Sequence, residues 1–217
     1  MVGQVLDVDW AIAWIDAVAQ DAERRKAEIA ELDGYVGDGD LGENLARGFA
    51  AAREAVAAAG RPETVGAVLE TAASALVSAV GSAAGPLYAA AFRAAGKSCR
   101  REVLDSADVV ALIAAALHGV VTRGQAEVGE KTMVDAWSPA LAAARQAAAD
   151  GLDAGAVLAA AAAAAQAGSE NTASMQATKG RARFLGEKSI GHRDPGAESV
   201  AMVIAAAART ASPAAAS

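Results

Sequence analysis

Three aspartates, Asp33, Asp38 and Asp40, lie within eight residues of one another in a glycine-rich stretch of the sequence. Carboxylates held this close repel one another unless a cation lies between them. Mg²⁺ prefers carboxylate oxygens and is usually held by a few of them together with the phosphates of a substrate. A helix is predicted to begin shortly afterwards, at Glu43, and the free N–H groups of a helix start bind phosphate. These residues therefore predict a site for Mg²⁺ and a phosphate group.

This stretch has two other interpretations besides the metal site. Ordinary solvated turns before helices use the same residue types, and this alternative stays open on the residues alone. An EF-hand calcium loop does not fit, because it needs glycine at its sixth position and glutamate at its twelfth. Counting Asp33 as the first position, the sixth is Asp38 and the twelfth is Asn44.

Two further segments have the composition of phosphate-binding elements. The first is the turn GSAAGP at residues 81–86, where free N–H groups precede another predicted helix. The second runs from Thr178 to Arg193 and carries six basic or imidazole side chains in an acidic protein. Its glycines give the backbone freedom to open, so we predict a mobile lid that a bound nucleotide orders. A solvated surface loop is the alternative for this segment.

The composition favours a helical protein. Of the 217 residues, 54% are hydrophobic, mostly alanine, and 4% are aromatic; alanine favours helices, whereas strands favour β-branched and aromatic residues. The net charge of −7 and the pI near 4.9 argue against nucleic acid as a partner. The single cysteine, Cys99, excludes an internal disulfide and suits a reducing compartment. We expect no secretory signal, and the apolar run Ala156–Ala167 is too short to span a membrane.

Apolar periodicity and helix-end signals predict eight helices and no strand. The predicted bounds are residues 9–32, 43–59, 63–80, 87–97, 105–122, 131–149, 153–177 and 195–210. Trp10 and Trp14, four residues apart, are predicted to anchor the core from one face of the first helix. No break in composition divides the chain, so residues 1–217 are expected to form a single domain.

Four segments of the sequence carry a family resemblance. They are GDGDLGENLARGF at residues 37–49, GSAAGPLYAAAF at 81–92, RGQAEVGEKTMVDAWSPA at 123–140 and TKGRARFLGEKSIGHRDPGAES at 178–199. In this order and spacing they resemble the nucleotide-binding L subunit of bacterial dihydroxyacetone kinases, which is similar to the C-terminal domain of the single-polypeptide, ATP-dependent enzymes. The resemblance covers essentially the whole chain. It implies an all-α fold, an antiparallel up-and-down barrel of eight helices with the nucleotide at one end.

The resemblance also implies the residues of the site. Asp33, Asp38 and Asp40 would hold two Mg²⁺ ions. Arg181 would stabilise phosphate charge, and no protein nucleophile is implied, because phosphoryl transfer needs mainly positioning and charge neutralisation. The nucleotide, ADP or ATP, would contact a larger set that combines helix starts with the basic segment: Leu41, Gly42, Glu43, Asn44, Ser82, Ala83, Gly124, Met133, Arg181, Asp194, Pro195 and Gly196.

The sequence departs from the family pattern at two positions. Leu41 stands where the family usually has histidine, and Ala84 where it usually has serine. Each replacement removes a side chain that can donate to phosphate, and a hydrogen bond to a charged group is worth about 1.5–3 kcal/mol. Backbone donors remain, so we expect nucleotide binding to be weakened or repositioned.

The implied reaction transfers a phosphoryl group to dihydroxyacetone held on a separate K subunit, in the cytoplasm. In phosphoenolpyruvate-phosphotransferase-linked systems an M subunit rephosphorylates the bound ADP, whereas in the others ATP exchanges; a separate L subunit favours the first arrangement. No nucleic-acid or membrane partner is expected, and a dimer is one option for the protein itself. Two alternatives stay open: a non-enzymatic L-like regulatory or binding module, and a subunit of a kinase for another short ketose such as erythrulose.

Overall fold

Eight α-helices and two short 3₁₀ segments make up the regular structure of the described residues. The structure, a computed structural model, describes residues 5–79 and 84–211. The helices are α1 (Val8–Val36), α2 (Leu41–Ala58), α3 (Val65–Ala79), α4 (Ala84–Ser98), α5 (Ser106–Gly124), α6 (Val134–Ala149), α7 (Ala154–Asn171) and α8 (Pro195–Thr210). The 3₁₀ segments are Thr172–Ser174 and Ala182–Ser189. Within these ranges there is no strand, only one isolated bridge between Leu6 and Leu104. The predicted all-α class is confirmed.

Three helix ends near the predicted site differ from the sequence-based bounds. Helix α1 continues to Val36, so Asp33 lies in its last turn and not in a loop. Helix α4 begins at Ala84, three residues earlier than predicted. Helix α7 ends at Asn171 and not at Ala177, and the 3₁₀ segment Thr172–Ser174 follows it. The Thr172 carbonyl accepts hydrogen bonds from the Met175 N–H (3.1 Å) and from the Lys131 ammonium (2.7 Å), a tertiary contact that sequence periodicity does not report.

The helices pack in sequence order. Each helix contacts the next one, and α8 contacts α1, which closes the series. Short connections between neighbours, such as residues 37–40 and 150–153, require adjacent helices to run antiparallel. This contact order is the one that a closed barrel of eight helices requires. Because neighbouring helices are antiparallel, one end of the ring contains the C-terminal ends of α1 and α5 and the N-terminal ends of α2, α4, α6 and α8.

Two tryptophans hold the junction where the ring closes. The indole nitrogen of Trp10 donates to the Ala207 carbonyl (3.1 Å), and that of Trp14 donates to the Val203 carbonyl (3.0 Å). The two rings stack with centroids 5.3 Å apart, and Trp14 also meets Phe92 of α4 at 5.5 Å. Both tryptophans are buried, as the sequence predicts for core anchors. Their hydrogen bonds satisfy the polar edge of an otherwise apolar contact between α1 and α8.

Helix α5 is long and apolar. By length and composition alone it could cross a membrane, with a mean hydropathy of 1.4, and no other helix in the described ranges passes this test. A core helix of a soluble protein passes it equally well. Here α5 packs between α4 and α6, with Val109, Leu112 and Ile113 buried against the core.

The start of α2 is fixed by a close contact with α1. A Cβ placed at Gly42 would lie 2.0 Å from the carbonyl oxygen of Lys26. Only glycine permits this separation, which brings the first turn of α2 against the side of α1 and therefore brings Asp40 near Asp33. The glycine in the motif thus has a packing role in addition to any contact with phosphate.

We expect Gly42→Ala to destabilise the protein. The two helices would have to move apart, and overpacking of this kind costs roughly 1–3 kcal/mol. Gly34→Ala is the matched control, since a Cβ at that position in α1 has nothing within 4 Å and alanine favours a helix by up to about 1 kcal/mol. Urea denaturation of both variants measures the difference. Equal stability would contradict the packing role of Gly42.

Candidate functional site

The three predicted aspartates meet at the corner between α1 and α2. Each offers a carboxylate oxygen, and the three oxygens lie within 4.8 Å of one another. Asp33 is largely buried in the last turn of α1, whereas Asp38 and Asp40 are exposed in the connection to α2. This separation and chemistry fit a small divalent cation such as Mg²⁺, which takes several carboxylate oxygens in its first coordination sphere.

Local backbone geometry positions the Asp33 carboxylate. One of its oxygens accepts a hydrogen bond from the N–H of Leu41, the first residue of α2 (3.2 Å). A Cβ at Gly37 would lie 2.2 Å from the other oxygen, so any other residue there would displace the carboxylate from this position. Gly39 has a φ of +76°, which glycine adopts without strain. The glycines of the motif therefore let the backbone turn tightly around the carboxylate.

A cation from elsewhere in the sequence already balances part of this negative charge. The guanidinium of Arg181 forms an ion pair with the Asp38 carboxylate, and both side chains are about half exposed. Arg181 therefore lies beside the cluster of Asp33, Asp38 and Asp40, where its guanidinium could also reach a phosphate bound there.

A cavity of about 410 Å³ opens beside the aspartates. Its volume is within the range of small-molecule sites, about 300–1,000 Å³. Apolar side chains from α4, α5 and the start of α6, including Leu87, Val120 and Met133, line one part of it. Arg123, Lys179 and Arg181 contribute positive charge to the wall. One part of the wall is therefore apolar and another is positively charged, which suits a ligand with an apolar ring and an anionic end.

The start of α8 forms another part of the wall. The Asp194 carboxylate caps the helix by accepting a hydrogen bond from the Ala197 N–H (2.7 Å), and Pro195 occupies the first turn. The Asp194 N–H itself donates to Thr172 Oγ1 (2.8 Å). Burial raises the pKa of Asp194 to about 7; Ala197 and Lys131 act to lower it, and the charges of Asp135 and Asp33 raise it further. The carboxyl therefore titrates near neutral pH.

Comparison with known proteins decides the family. The family model for the DAK2 domain matches residues 35–209, which include nearly every part of the site described above. This protein belongs to the DAK2 domain family.

Three similar proteins illustrate this family. The ADP-binding subunit DhaL of PEP-dependent dihydroxyacetone kinase 1 from Listeria innocua is 38% identical over 94% of this chain and 97% of its own length. L-erythrulose 1-kinase of Mycolicibacterium smegmatis is 35% identical over 90% of this chain but only 34% of its own length. The crystal structure of the C. freundii dihydroxyacetone kinase with AMP-PNP and Mg²⁺ matches with a TM-score of 0.72 and 26% identity, over 96% of this chain and 35% of the C. freundii protein. The resemblance stated from the sequence is confirmed.

The structure of this DAK2 domain brings most of the predicted nucleotide-contact residues to the cavity. The wall contains Leu41, Gly124, Met133, Arg181, Asp194, Pro195 and Gly196, together with the three aspartates. These residues come from five separate parts of the sequence, and the ring of helices collects them at one end. Ser82 and Ala83 lie outside the described residues.

Three of the predicted residues have other roles in this structure. Gly42 is buried against α1, as described above. Glu43 is exposed and lies 3.6 Å from the Lys26 ammonium, and Asn44 is buried and accepts a hydrogen bond from Arg47. None of the three lines the cavity. Their contribution to binding, if phosphate lies at the start of α2, would come from backbone N–H groups of the first turn.

The basic segment Thr178–Arg193 is folded against α1 in this structure. Its central part is the 3₁₀ segment Ala182–Ser189, and Ala182 is buried with Val36 and Ala177. The imidazole of His192 stacks on the ring of Tyr35, with centroids 4.5 Å apart. The predicted irregular loop is thus largely structured, although the side chains of Arg183, Phe184 and Lys188 remain exposed.

The role of Lys131 does not follow from the sequence pattern. The sequence-based bounds place it in the first turn of α6, but the helix begins at Val134 and Lys131 has a left-handed backbone with φ of 61°. Its side chain lies in the cavity wall, is 1% exposed, and points its ammonium to three backbone carbonyls. A lysine among helix-forming residues normally lies on the surface, so nothing in the local pattern indicates a buried position.

We expect Asp194 to make the stability of the metal-free protein depend on pH. Its folded pKa of about 7 is above the ordinary value of 3.8, so the folded state binds this proton more tightly than the unfolded state. The corresponding stabilisation is complete below the ordinary pKa and is lost as the pH rises through about 7. Asp194→Asn keeps a capping oxygen but does not titrate.

Urea unfolding between about pH 4 and pH 8, with chelator present, measures this effect. The free energy of unfolding of the wild type, relative to that of Asp194→Asn, should fall across the window. A constant difference between the two proteins would show that the pKa of the Asp194 carboxyl is not shifted.

Proposed function

We propose that this DAK2 domain is the ADP- and Mg²⁺-binding L subunit of a dihydroxyacetone kinase. The observation that carries the proposal is the cluster of Asp33, Asp38 and Asp40 beside a cavity that also contains Arg181 and the start of α8. Carboxylates for a metal and positive groups for phosphates are the parts that a Mg²⁺–nucleotide complex needs. The names of the Listeria and C. freundii relatives, an ADP-binding subunit and a kinase with AMP-PNP and Mg²⁺, support this assignment.

Each side chain has a definite task in this proposal. Asp33, Asp38 and Asp40 would hold Mg²⁺, and we propose two ions, following the family resemblance of the sequence. Arg181 would exchange its ion pair with Asp38 for a phosphate oxygen, since the carboxylate is then occupied by metal. Mg²⁺ held by these aspartates would neutralise the charge of the phosphates. The apolar side chains of α4, α5 and the start of α6 that line the cavity would contact the adenine ring.

The phosphoryl acceptor is proposed to be dihydroxyacetone on a separate K subunit. The Listeria relative, an ADP-binding subunit, is matched over nearly all of its length, whereas the match covers 35% of the C. freundii kinase. The part of each protein that this chain matches supports the assignment to the nucleotide-binding subunit. The Listeria protein is named PEP-dependent, and on this basis we propose a phosphoenolpyruvate-phosphotransferase-linked system. In such a system ADP would stay bound as a cofactor, and an M subunit would rephosphorylate the ADP.

Several finer features of the proposal follow from the same assignment. Residues 1–217 would act as one L-type domain in the cytoplasm, without nucleic acid or membrane as a partner. A dimer is the oligomeric state proposed for it. No side chain acts as a nucleophile, because the metal-binding aspartates and Arg181 contribute through charge.

A kinase subunit for erythrulose is the second candidate. The observation that favours it is the relative from M. smegmatis named L-erythrulose 1-kinase, of which this chain covers 34%. The ketose would bind on the K subunit, so the two candidates predict the same nucleotide site. The third alternative is a non-enzymatic binding module. The residues that favour it are Leu41 and Ala84, because their side chains line the cavity and pack against the core but cannot donate a hydrogen bond to phosphate.

Mg²⁺ and ADP should bind together. Three carboxylates repel until a metal arrives, and a metal without nucleotide lacks the phosphate oxygens that complete its coordination. Calorimetry with ADP should therefore give a much lower affinity in chelator than in Mg²⁺. Asp38→Asn should lower the affinity in Mg²⁺, whereas the exposed Glu63→Gln should leave it unchanged. Equal ADP affinity with and without Mg²⁺ would refute the metal assignment.

Phosphoryl transfer with a purified K partner separates the remaining candidates. Transfer to dihydroxyacetone supports the main proposal, and preferential transfer to erythrulose supports the second candidate. Tight Mg²⁺–ADP binding without transfer to either ketose favours the non-enzymatic module.

Nucleotide should also protect the basic segment from trypsin. Arg183 and Lys188 are exposed cleavage sites, and a nucleotide contact at Arg181 should tighten the whole segment. We expect cleavage within residues 179–193 of the free protein and protection by Mg²⁺–ADP. Cleavage after the exposed Arg101 serves as the internal control. Identical cutting of the segment with and without nucleotide would contradict its role as a lid.

A further inference from the structure

Lys131 has an environment that is unusual for a lysine. It is 1% exposed and lies between the loop that follows α5 and the first turn of α6. Its φ of 61° is in the left-handed region, which costs free energy for a residue other than glycine. The neighbouring backbone is held by Asp135, whose carboxylate accepts hydrogen bonds from the Gly129 N–H (2.5 Å) and the Thr132 N–H (2.7 Å). The surrounding structure therefore maintains this conformation.

The Lys131 ammonium uses all its donors on backbone carbonyls. It donates to Thr172 O at 2.7 Å, to Met175 O at 3.2 Å and to His192 O. An ammonium has three N–H groups, so none remains for a phosphate in the cavity. Burial lowers the pKa of Lys131, while the negative charge of Asp194 raises it. Lys131 thus lies in the cavity wall, but its ammonium donates its hydrogen bonds to the protein and not to the cavity.

The three carbonyls lie on the two sides of the basic segment Thr178–Arg193, two before it and one near its C-terminal end. Thr172 and Met175 precede Thr178, and His192 lies at the other end. A single side chain therefore joins the residues before the segment that carries Arg181 to the C-terminal end of that segment. A further hydrogen bond, from Gly191 N–H to Ala173 O (2.7 Å), lies across the same junction.

The same contacts reach the start of α8. Thr172 binds the Lys131 ammonium through its carbonyl and accepts the Asp194 N–H through its hydroxyl. Asp194 in turn caps α8 and begins the wall formed by residues 194–196. Lys131 is thus connected to both parts of the cavity wall that lie after α7, namely the Arg181 segment and the α8 start.

We propose that Lys131 is a positioning residue for the nucleotide site: it holds the base of the Arg181 segment and the start of α8 in their binding arrangement without contacting the nucleotide. This inference rests on the proposed nucleotide binding. Its physical basis is that removing the ammonium takes a buried donor away from three carbonyls beside and within the segment. The Thr172 carbonyl keeps a hydrogen bond from the Met175 N–H (3.1 Å), but the link across the segment is lost, which favours its rearrangement.

The test uses Lys131→Met and Lys131→Ala, with Lys97→Met as the matched control at the exposed end of α4. Calorimetry in Mg²⁺ should show ADP binding weakened by roughly tenfold or more in both Lys131 variants, since hydrogen bonds to a charged group are lost. Lys97→Met should bind ADP like the wild type. Hydrogen exchange without nucleotide should be faster in residues 172–194 of the Lys131 variants and unchanged in α2 and α3.

Chemical rescue separates positioning from general stability. Lys131→Ala leaves a space that n-propylammonium can fill, which restores an ammonium near the three carbonyls. ADP affinity should recover with n-propylammonium but not with tetramethylammonium at the same concentration, because the latter has no N–H donor. A variant that is merely less stable would respond equally to both salts.

Three outcomes would overturn the proposal. They are unchanged ADP affinity in the Lys131 variants, weakened affinity with no change in exchange over residues 172–194, and loss of the whole fold in both variants. If wild type itself fails to bind Mg²⁺–ADP, the proposed function fails, while the exchange measurement still decides whether Lys131 holds this segment.

Discussion

The mutual repulsion of three carboxylates within 4.8 Å is the constraint on which this end of the structure depends. The protein holds them together through backbone geometry: the Leu41 N–H binds Asp33, and glycines at 37 and 42 allow contacts that a Cβ would prevent. Arg181 then supplies one opposing charge. The remaining negative charge suits the cluster to a cation, since carboxylates this close are stabilised when a cation lies among them.

The position of Arg181 depends in turn on contacts that the rest of its segment makes with α1 and with Lys131. The segment that carries it is long and rich in like charges, which would favour an open conformation on its own. The Lys131 ammonium joins the residues before the segment to its C-terminal end, Ala182 is buried beside Val36, and His192 stacks on Tyr35. Positive charge thus reaches the aspartate cluster because buried hydrogen bonds and apolar contacts offset the repulsion within the segment.

The ring of helices explains how a helix-rich, aromatic-poor sequence can form such a site. Alanine and glycine let neighbouring helices approach closely, as Gly42 does against Lys26, while a few aromatics fill the centre and close α1 onto α8. Antiparallel neighbours bring alternate helix ends to one face. That face receives several helix starts, whose free N–H groups suit an anion, without requiring the motifs to be adjacent in the sequence.

The sequence by itself determined the all-α class, eight helical segments and the aspartate cluster, because periodicity, glycine positions and charge are local properties that a motif carries with it. The family resemblance of its four motifs implied the nucleotide-contact residues, of which Leu41, Gly124, Met133, Arg181, Asp194, Pro195 and Gly196 line the cavity. Tertiary structure alone decided which of these residues face the cavity. Gly42 and Asn44 are committed to packing and to a neighbouring arginine, the residue after α7 binds a distant lysine, and Lys131 is buried although its local pattern predicts an exposed helix start. The physical reason is that burial and hydrogen-bond partners come from residues distant in the sequence. Local propensity cannot specify them.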